Sequence, residues 1–191
     1  MSEAPAALDF LLNRRSRPAK MLSAPVPDRE ALTVLLTAAA RSPDHGKLEP
    51  WRFIVLEAAA MQRLSQLVVA RGAALGLDAD AVEKARDAYA RAPLAVAVIS
   101  APKPSEKIPE IEQVLSAGAV CLALLNAALA AGWGANWLSG WASHDRDFVA
   151  QGLGLAQTER VAGIIHIGTA ARTPPERPRP DLAAITQWVS Q

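Results

Sequence analysis

Apolar positions recur at helical spacing from the start of the chain. Ala7, Leu8, Leu11 and Leu12 share one face of a predicted helix over 4–13. A loop punctuated by Pro18, Pro25 and Pro27 follows. Asp28 then caps a predicted helix over 29–40 with Leu32, Leu35 and Leu36 as its stripe. The aromatic and β-branched run Trp51–Leu56 predicts a strand. Helices are expected over 58–74 and from Asp78 or Asp80 to Ala90. Leu94–Ile99, wholly apolar, reads as a strand buried on both faces. The longest predicted helix, 109–131, holds the run Ala117–Leu125 and is apolar on nearly every side. Such a helix is expected to be buried all round, against another helix or a second subunit. A strand over 134–138, a short helix over 144–151 and a strand over 161–168 complete the pattern. The tail, 173–191, has four prolines and then Leu182, Ile185, Trp188 and Val189, which need a surface to cover. Helices alternating with few strands predict one α+β domain with a mixed sheet over 1–191.

Composition narrows the function. The 191 residues carry 20 basic and 19 acidic side chains, a net charge of +1, so no field draws the chain to nucleic acid or an anionic membrane. A membrane span needs ~20 mostly apolar residues, and Glu110, Glu112, Gln113, Ser116 and Asn126 interrupt the long helix; no membrane insertion is expected. One cysteine, Cys121, excludes a disulfide within the chain, and no Cys/His spacing suggests zinc. Met1–Pro5 has neither a basic nor a long apolar leader region, so a cytoplasmic protein is expected.

The candidate chemistry lies in three places. Asn13-Arg14-Arg15-Ser16-Arg17 gathers three guanidinium groups and a hydroxyl at the end of the first helix. Guanidinium forks suit phosphate oxygens; the same cations also complement a helix C-terminus. Arg41-Ser42-Pro43-Asp44-His45-Gly46-Lys47 places cations, an imidazole and turn residues before the first strand. Asp44 reads as a turn residue and His45 either as a ligand contact or as a local cap. Trp137-Leu138-Ser139-Gly140 ends a strand after the turn Gly132-Trp133-Gly134, and Trp137 reads equally well as core. His144 reads as a surface residue or cap and His166 as a satisfied core histidine. No Ser-His-Asp arrangement, Gly-x-Gly-x-x-Gly or Walker lysine motif is present, so any nicotinamide binds without a Rossmann domain.

In this order, Asn13–Arg17, then Arg41-Ser42-Pro43 with Pro50-Trp51-Arg52-Phe53-Ile54-Val55, then Trp137–Gly140 with Ile167-Gly168-Thr169 resemble the FMN-dependent nitroreductase family. The Pro43-Asp44-His45 variant looks like its short subgroup of NAD(P)H nitroreductases. The resemblance spans about 7–179. It implies a nitroreductase-like fold: a mixed, mainly antiparallel central sheet flanked by helices, with the 173–191 extension packing on the partner subunit of a homodimer. It also implies FMN at the interface and ping-pong transfer of hydride from NADH or NADPH to a small electron-poor acceptor, a nitroaromatic or quinone. Flavin N5 then carries the chemistry and no catalytic side chain is needed. By the same resemblance Arg14 and Ser16 hold the phosphate and Arg15 reaches the ribityl chain or pyrimidine edge. Arg177 completes the phosphate site, in competition with Arg172 and Arg179. Arg41, His45 and Lys47 approach the ring, and the backbone of Trp137, Leu138 and Ser139 faces N5 and O4. A lysine common in the family is Pro18 here, which leaves open a non-enzymatic flavin store on the same fold. Gly118 and Ala119 are expected at the dimer contact.

Overall fold

The computed structural model describes residues 6–190. Eight α-helices and five strands alternate along them. The helices are α1 (Ala6–Asn13), α2 (Arg29–Ala39), α3 (Ala58–Ala74), α4 (Ala79–Ala90), α5 (Glu110–Ala130), α6 (Trp141–His144), α7 (Arg146–Leu153) and α8 (Leu182–Ile185). The strands are β1 (Leu22–Ser23), β2 (Trp51–Glu57), β3 (Leu94–Ser100), β4 (Gly134–Leu138) and β5 (Arg160–Ala170).

The sheet runs β1-β5-β3-β2, and β4 also pairs with β5. Every pairing among the described residues is antiparallel, where the sequence pattern predicts a mixed sheet. β3 is buried throughout, as its unbroken apolar run requires. Its side chains alternate between two cores. Ala95, Ala97 and Ile99 face α3, α6 and α7 with Met61, Leu64 and Phe148. Leu94, Val96 and Val98 face α2 and α5 with Leu35, Val120 and Leu124. The β1 pairing lies in the proline-rich stretch predicted as loop; with two residues it is too short to show a period.

Three expectations are corrected. α5 is not buried all round: Gln113, Ser116, Ala117, Val120, Cys121, Leu124, Leu125 and Ala128 face the sheet. Ile111, Leu115 and Leu122 lie in solvent on the opposite face. The helix is long and apolar enough to cross a membrane by length and composition, but one whole face is committed to this core. The predicted helix over 144–151 starts two residues later, as α7 (Arg146–Leu153), because Asp145 leaves helical geometry and caps it through the Phe148 N–H (3.1 Å); His144 ends the preceding α6. His166 is buried as expected, yet its Nδ1 has no hydrogen-bond partner.

Candidate functional site

The arginine segment after α1 is strapped to the free edge of β4. The Arg17 N–H donates to the Ala135 carbonyl, and the Asn136 side-chain amide donates to the Arg17 carbonyl, both at 2.8 Å. These two bonds turn a helix end into an extended segment with fixed side-chain directions. Arg14 Nη2 donates to Ser16 Oγ at 3.0 Å. Its Nε is buried without a partner, and no carboxylate pairs with its guanidinium among the described residues. Burial, followed by the neighbouring Arg179 and Arg15, lowers the Arg14 pKa from its ordinary value.

Arg14, Arg15, Ser16, Arg177 and Arg179 line one cavity of about 600 Å³. Both Arg177 and Arg179 therefore reach the corner. Arg172 lies instead in the adjoining cavity, which Arg14 and Arg15 also line. Of these arginines two pair with a carboxylate, Glu176, which takes Arg179 at 2.8 Å and Arg15 at 3.6 Å. Arg15 also donates to the Pro175 carbonyl, so it ties the start of the tail to the corner. A half-buried guanidinium with a buried idle donor, surrounded by cations, fits a dianionic phosphate.

The loop of Arg41, His45 and Lys47 sits elsewhere. It packs on the N-terminal end of α5, where His45 Nδ1 meets Glu112 Oε2 at 2.7 Å and Ser116 Oγ donates to the Pro43 carbonyl at 2.8 Å. The Asp44 carboxylate accepts the Glu49 N–H, the turn role expected of it. Lys47 and Glu49 hold positive φ angles, 55° and 47°, in a region that favours glycine. The loop is therefore held in an uncommon shape by its contacts. The Arg14 corner adjoins Leu129 and Gly132–Gly134, beyond the other end of α5. The 21 residues of that helix place the two corners roughly 30 Å apart at 1.5 Å per residue. One chain does not bring Arg41, His45 and Lys47 to Arg14.

The third segment has its own surroundings. Trp137 lies over Gly163, where a Cβ would fall 2.1 Å from the indole Nε1, so glycine there makes room for the ring. Trp137 is neither wholly core nor wholly free, at 37% exposed. Leu138, Ser139 and Gly140 line an apolar cavity of about 330 Å³ between β5, α6 and α4. The backbone N–H groups of Ser139 and Gly140 donate to no backbone acceptor among the described residues. His166, Tyr89, Trp141 and Lys84 join this wall. Burial depresses the His166 pKa to about 4, so the ring is neutral near pH 7. Burial raises the Tyr89 pKa to about 12, against a hydrogen bond to Ser143. The Trp141 indole N–H is buried without a partner. Sequence pattern missed this wall because α4 is far from Ser139 along the chain and Lys84 looks like any surface lysine of an amphipathic helix.

A family model described as "Nitroreductase family" matches residues 11–169. The Escherichia coli (strain K12) protein named "Putative NAD(P)H nitroreductase YdjA" is 37% identical over 163 residues, 85% of this chain and 87% of its own. Among solved structures, a nitroreductase-like family protein from Bacillus cereus superposes with a TM-score of 0.81 at 21% identity. It covers 99% of this chain and 98% of its own. The FMN and NADPH-dependent nitroreductase NfnB from Sphigopyxis sp. strain HMH gives 0.72 at 20% identity, covering 97% of this chain and 100% of its own. The fold, the matched span and the ordered motifs agree: this chain belongs to the Nitroreductase family and is an oxidoreductase of that type.

Proposed function

We propose that the protein is an FMN-dependent oxidoreductase that uses NADH or NADPH to reduce a small electron-poor acceptor, such as a nitroaromatic or quinone. The observation that carries this reading is Arg14: a half-buried guanidinium with a buried, idle Nε, a hydroxyl on its Nη2, and Arg177 and Arg179 in the same cavity. Arg14 and Ser16 hold the phosphate, with Arg177 and Arg179 adding charge from the tail. Arg15 braces the tail at Pro175 and Glu176 and reaches the ribityl side. The free N–H groups of Ser139 and Gly140 orient the ring, and Trp137 and Leu138 shape its seat. Bound FMN supplies the hydride-accepting centre in a ping-pong exchange, so the chain needs no catalytic side chain.

The site is completed by a second copy of the chain. Ile111, Leu115 and Leu122 form an exposed apolar stripe on α5, at 61%, 65% and 45% exposure, and no side chain of α1 is buried. Exposed apolar stripes of this kind mark interfaces. Two α5 helices packed antiparallel bring the Arg41–Lys47 loop of one protomer to the Arg14 corner of its partner, which spans the gap of roughly 30 Å. A Cβ on Gly118 meets nothing within its own chain, in keeping with its place in that contact. Leu182, Ile185, Trp188 and Val189 of the tail, all largely exposed, cover the partner as the 173–191 extension.

The test is direct. Protein reconstituted with FMN is yellow, quenches flavin fluorescence and bleaches quickly on mixing with NADH or NADPH. Leu115→Asp sediments as a monomer and loses FMN. Protein that takes up no flavin ends the proposal; flavin that stays oxidised with both nicotinamides leaves a store rather than an enzyme.

A further inference from the structure

The cavity under Ser139 and Gly140 raises a question that the phosphate corner leaves open. Pro18 supplies no charge where the family has a lysine, and reduction of a flavin puts negative charge at N1 and C2=O. A cation beside that edge favours the reduced form. The Arg41–Lys47 loop reaches the site only from the partner, and within one chain the described residues narrow the choice. Lys84 on α4 is the one cationic side chain lining the cavity of Leu138, Ser139 and Gly140; His166, in the same wall, is neutral. Lys84 and Ala88 also line the adjoining cavity that begins at Ala19 and Lys20, just past the arginine segment. Lys84 and Ala88 thus line both cavities, the inner one at the strand end and the outer one beside Lys20.

Its neighbours on α4 are already engaged. Arg86 pairs with Glu83 and Asp87, and Arg91 with Asp87 at 2.6 Å. Lys84 has no carboxylate partner among the described residues. Lys20 lines only the outer cavity. Arg17 is turned toward the Arg15 carbonyl (3.3 Å). Arg15 is taken by Glu176 and Pro175.

We infer that Lys84 is the positioning cation for the pyrimidine edge of the flavin, replacing from α4 the charge that Pro18 leaves out. The inference rests on the flavin reading above. Lys84 acts by through-space attraction to the charge that appears on reduction. It therefore strengthens binding of reduced FMN more than of oxidised FMN.

The experiment is a redox titration of the FMN-loaded protein in four forms: wild type, Lys84→Met, Lys84→Arg and Lys20→Met. In Lys84→Met the preference for reduced over oxidised FMN falls about tenfold, which for a two-electron couple is a shift of about 30 mV to more negative potential. Affinity for oxidised FMN changes little, since the phosphate corner is intact. Lys84→Arg restores most of the shift, and Lys20→Met leaves the potential at the wild-type value. Lys84 is exposed, so the variant folds, and its flavin absorbance shows it. A wild-type potential in Lys84→Met, or a shift in Lys20→Met instead, overturns the assignment while leaving the flavin reading intact. Wild-type protein that binds no FMN overturns both.

Discussion

Two sets of arginines in this molecule are bound in opposite ways. Arg52 and Arg71 end in forks on carboxylates. Arg52 Nε and Nη2 reach the two oxygens of Glu159 at 2.6 and 2.8 Å, and Arg71 Nε and Nη2 reach Asp145 at 2.7 and 3.1 Å. Each carboxylate also holds backbone, Glu159 at the Ala156 N–H and Asp145 at the N-cap of α7. Hydrogen bonds from the arginines, the largest influence, hold both carboxyl pKa values below their usual range. Arg14 has none of this: its neighbours are Arg15 and Arg179, and its pKa moves down where those of Arg52 and Arg71 move up. A paired arginine fastens the fold. An unpaired one whose Nε is buried costs stability and is kept where a ligand completes it.

His166 extends the comparison to a group that avoids the cost by staying neutral, and its effect should be the largest. Its pKa is about 4 when folded against an ordinary 6.5. The unfolded chain therefore binds the proton more readily, and stability is lost as pH falls from about 6.5 to about 4, with no further loss from this group below. At 1.36 kcal/mol per unit the full loss is about 3 kcal/mol. Urea midpoints between pH 7 and pH 4 check this, and His166→Leu should flatten that limb. An unchanged slope in the variant would assign the limb to the carboxylates.

Arg14→Met separates the two sets. FMN affinity falls by roughly 1.5–3 kcal/mol, the usual worth of a charged hydrogen bond, as read by fluorescence titration. The melting temperature of the FMN-free protein holds or rises, because a crowded charge is gone. A fall in melting temperature without a change in FMN affinity would move Arg14 into the structural set.

Asp145→Ala does the reverse. Loss of the α7 cap costs about 1 kcal/mol, and Arg71 loses its fork as well. Thermal unfolding reads the loss, while FMN affinity in the folded variant stays at the wild-type value. The smallest effect belongs to Glu112→Gln: the exposed His45–Glu112 pair contributes at most about 1 kcal/mol. A change in flavin binding there would support the proposed approach of this loop from a partner protomer.

Most of the elements were legible from periodicity. β3 announced itself by an unbroken apolar run and α2 by Asp28 as its cap, whereas the cap of α7, Asp145, emerged only in the structure. The exposed stripe of α5 was not legible. Both of its faces are apolar, and the pattern cannot say which faces a sheet of the same chain and which faces solvent. The order of β1 and β4 around β5 was hidden for another reason, since pairing partners lie more than a hundred residues from β1. In the candidate site, Arg14, Ser16 and the 138–140 segment were visible as local motifs. Lys84, Tyr89 and Trp141 were not, because nothing local marks them.

The sequence by itself determined the doubly buried strand β3, the anion segment and the family, since each rests on neighbours along the chain or on residue order. Tertiary structure alone decided that Arg177 and Arg179 share a cavity with Arg14, that the Arg41–Lys47 loop lies a helix length away, and that Lys84 lines one cavity with Ser139. These are consequences of how strands register and helices pack. Such distances are set by long-range burial, for which the chain carries no local sign.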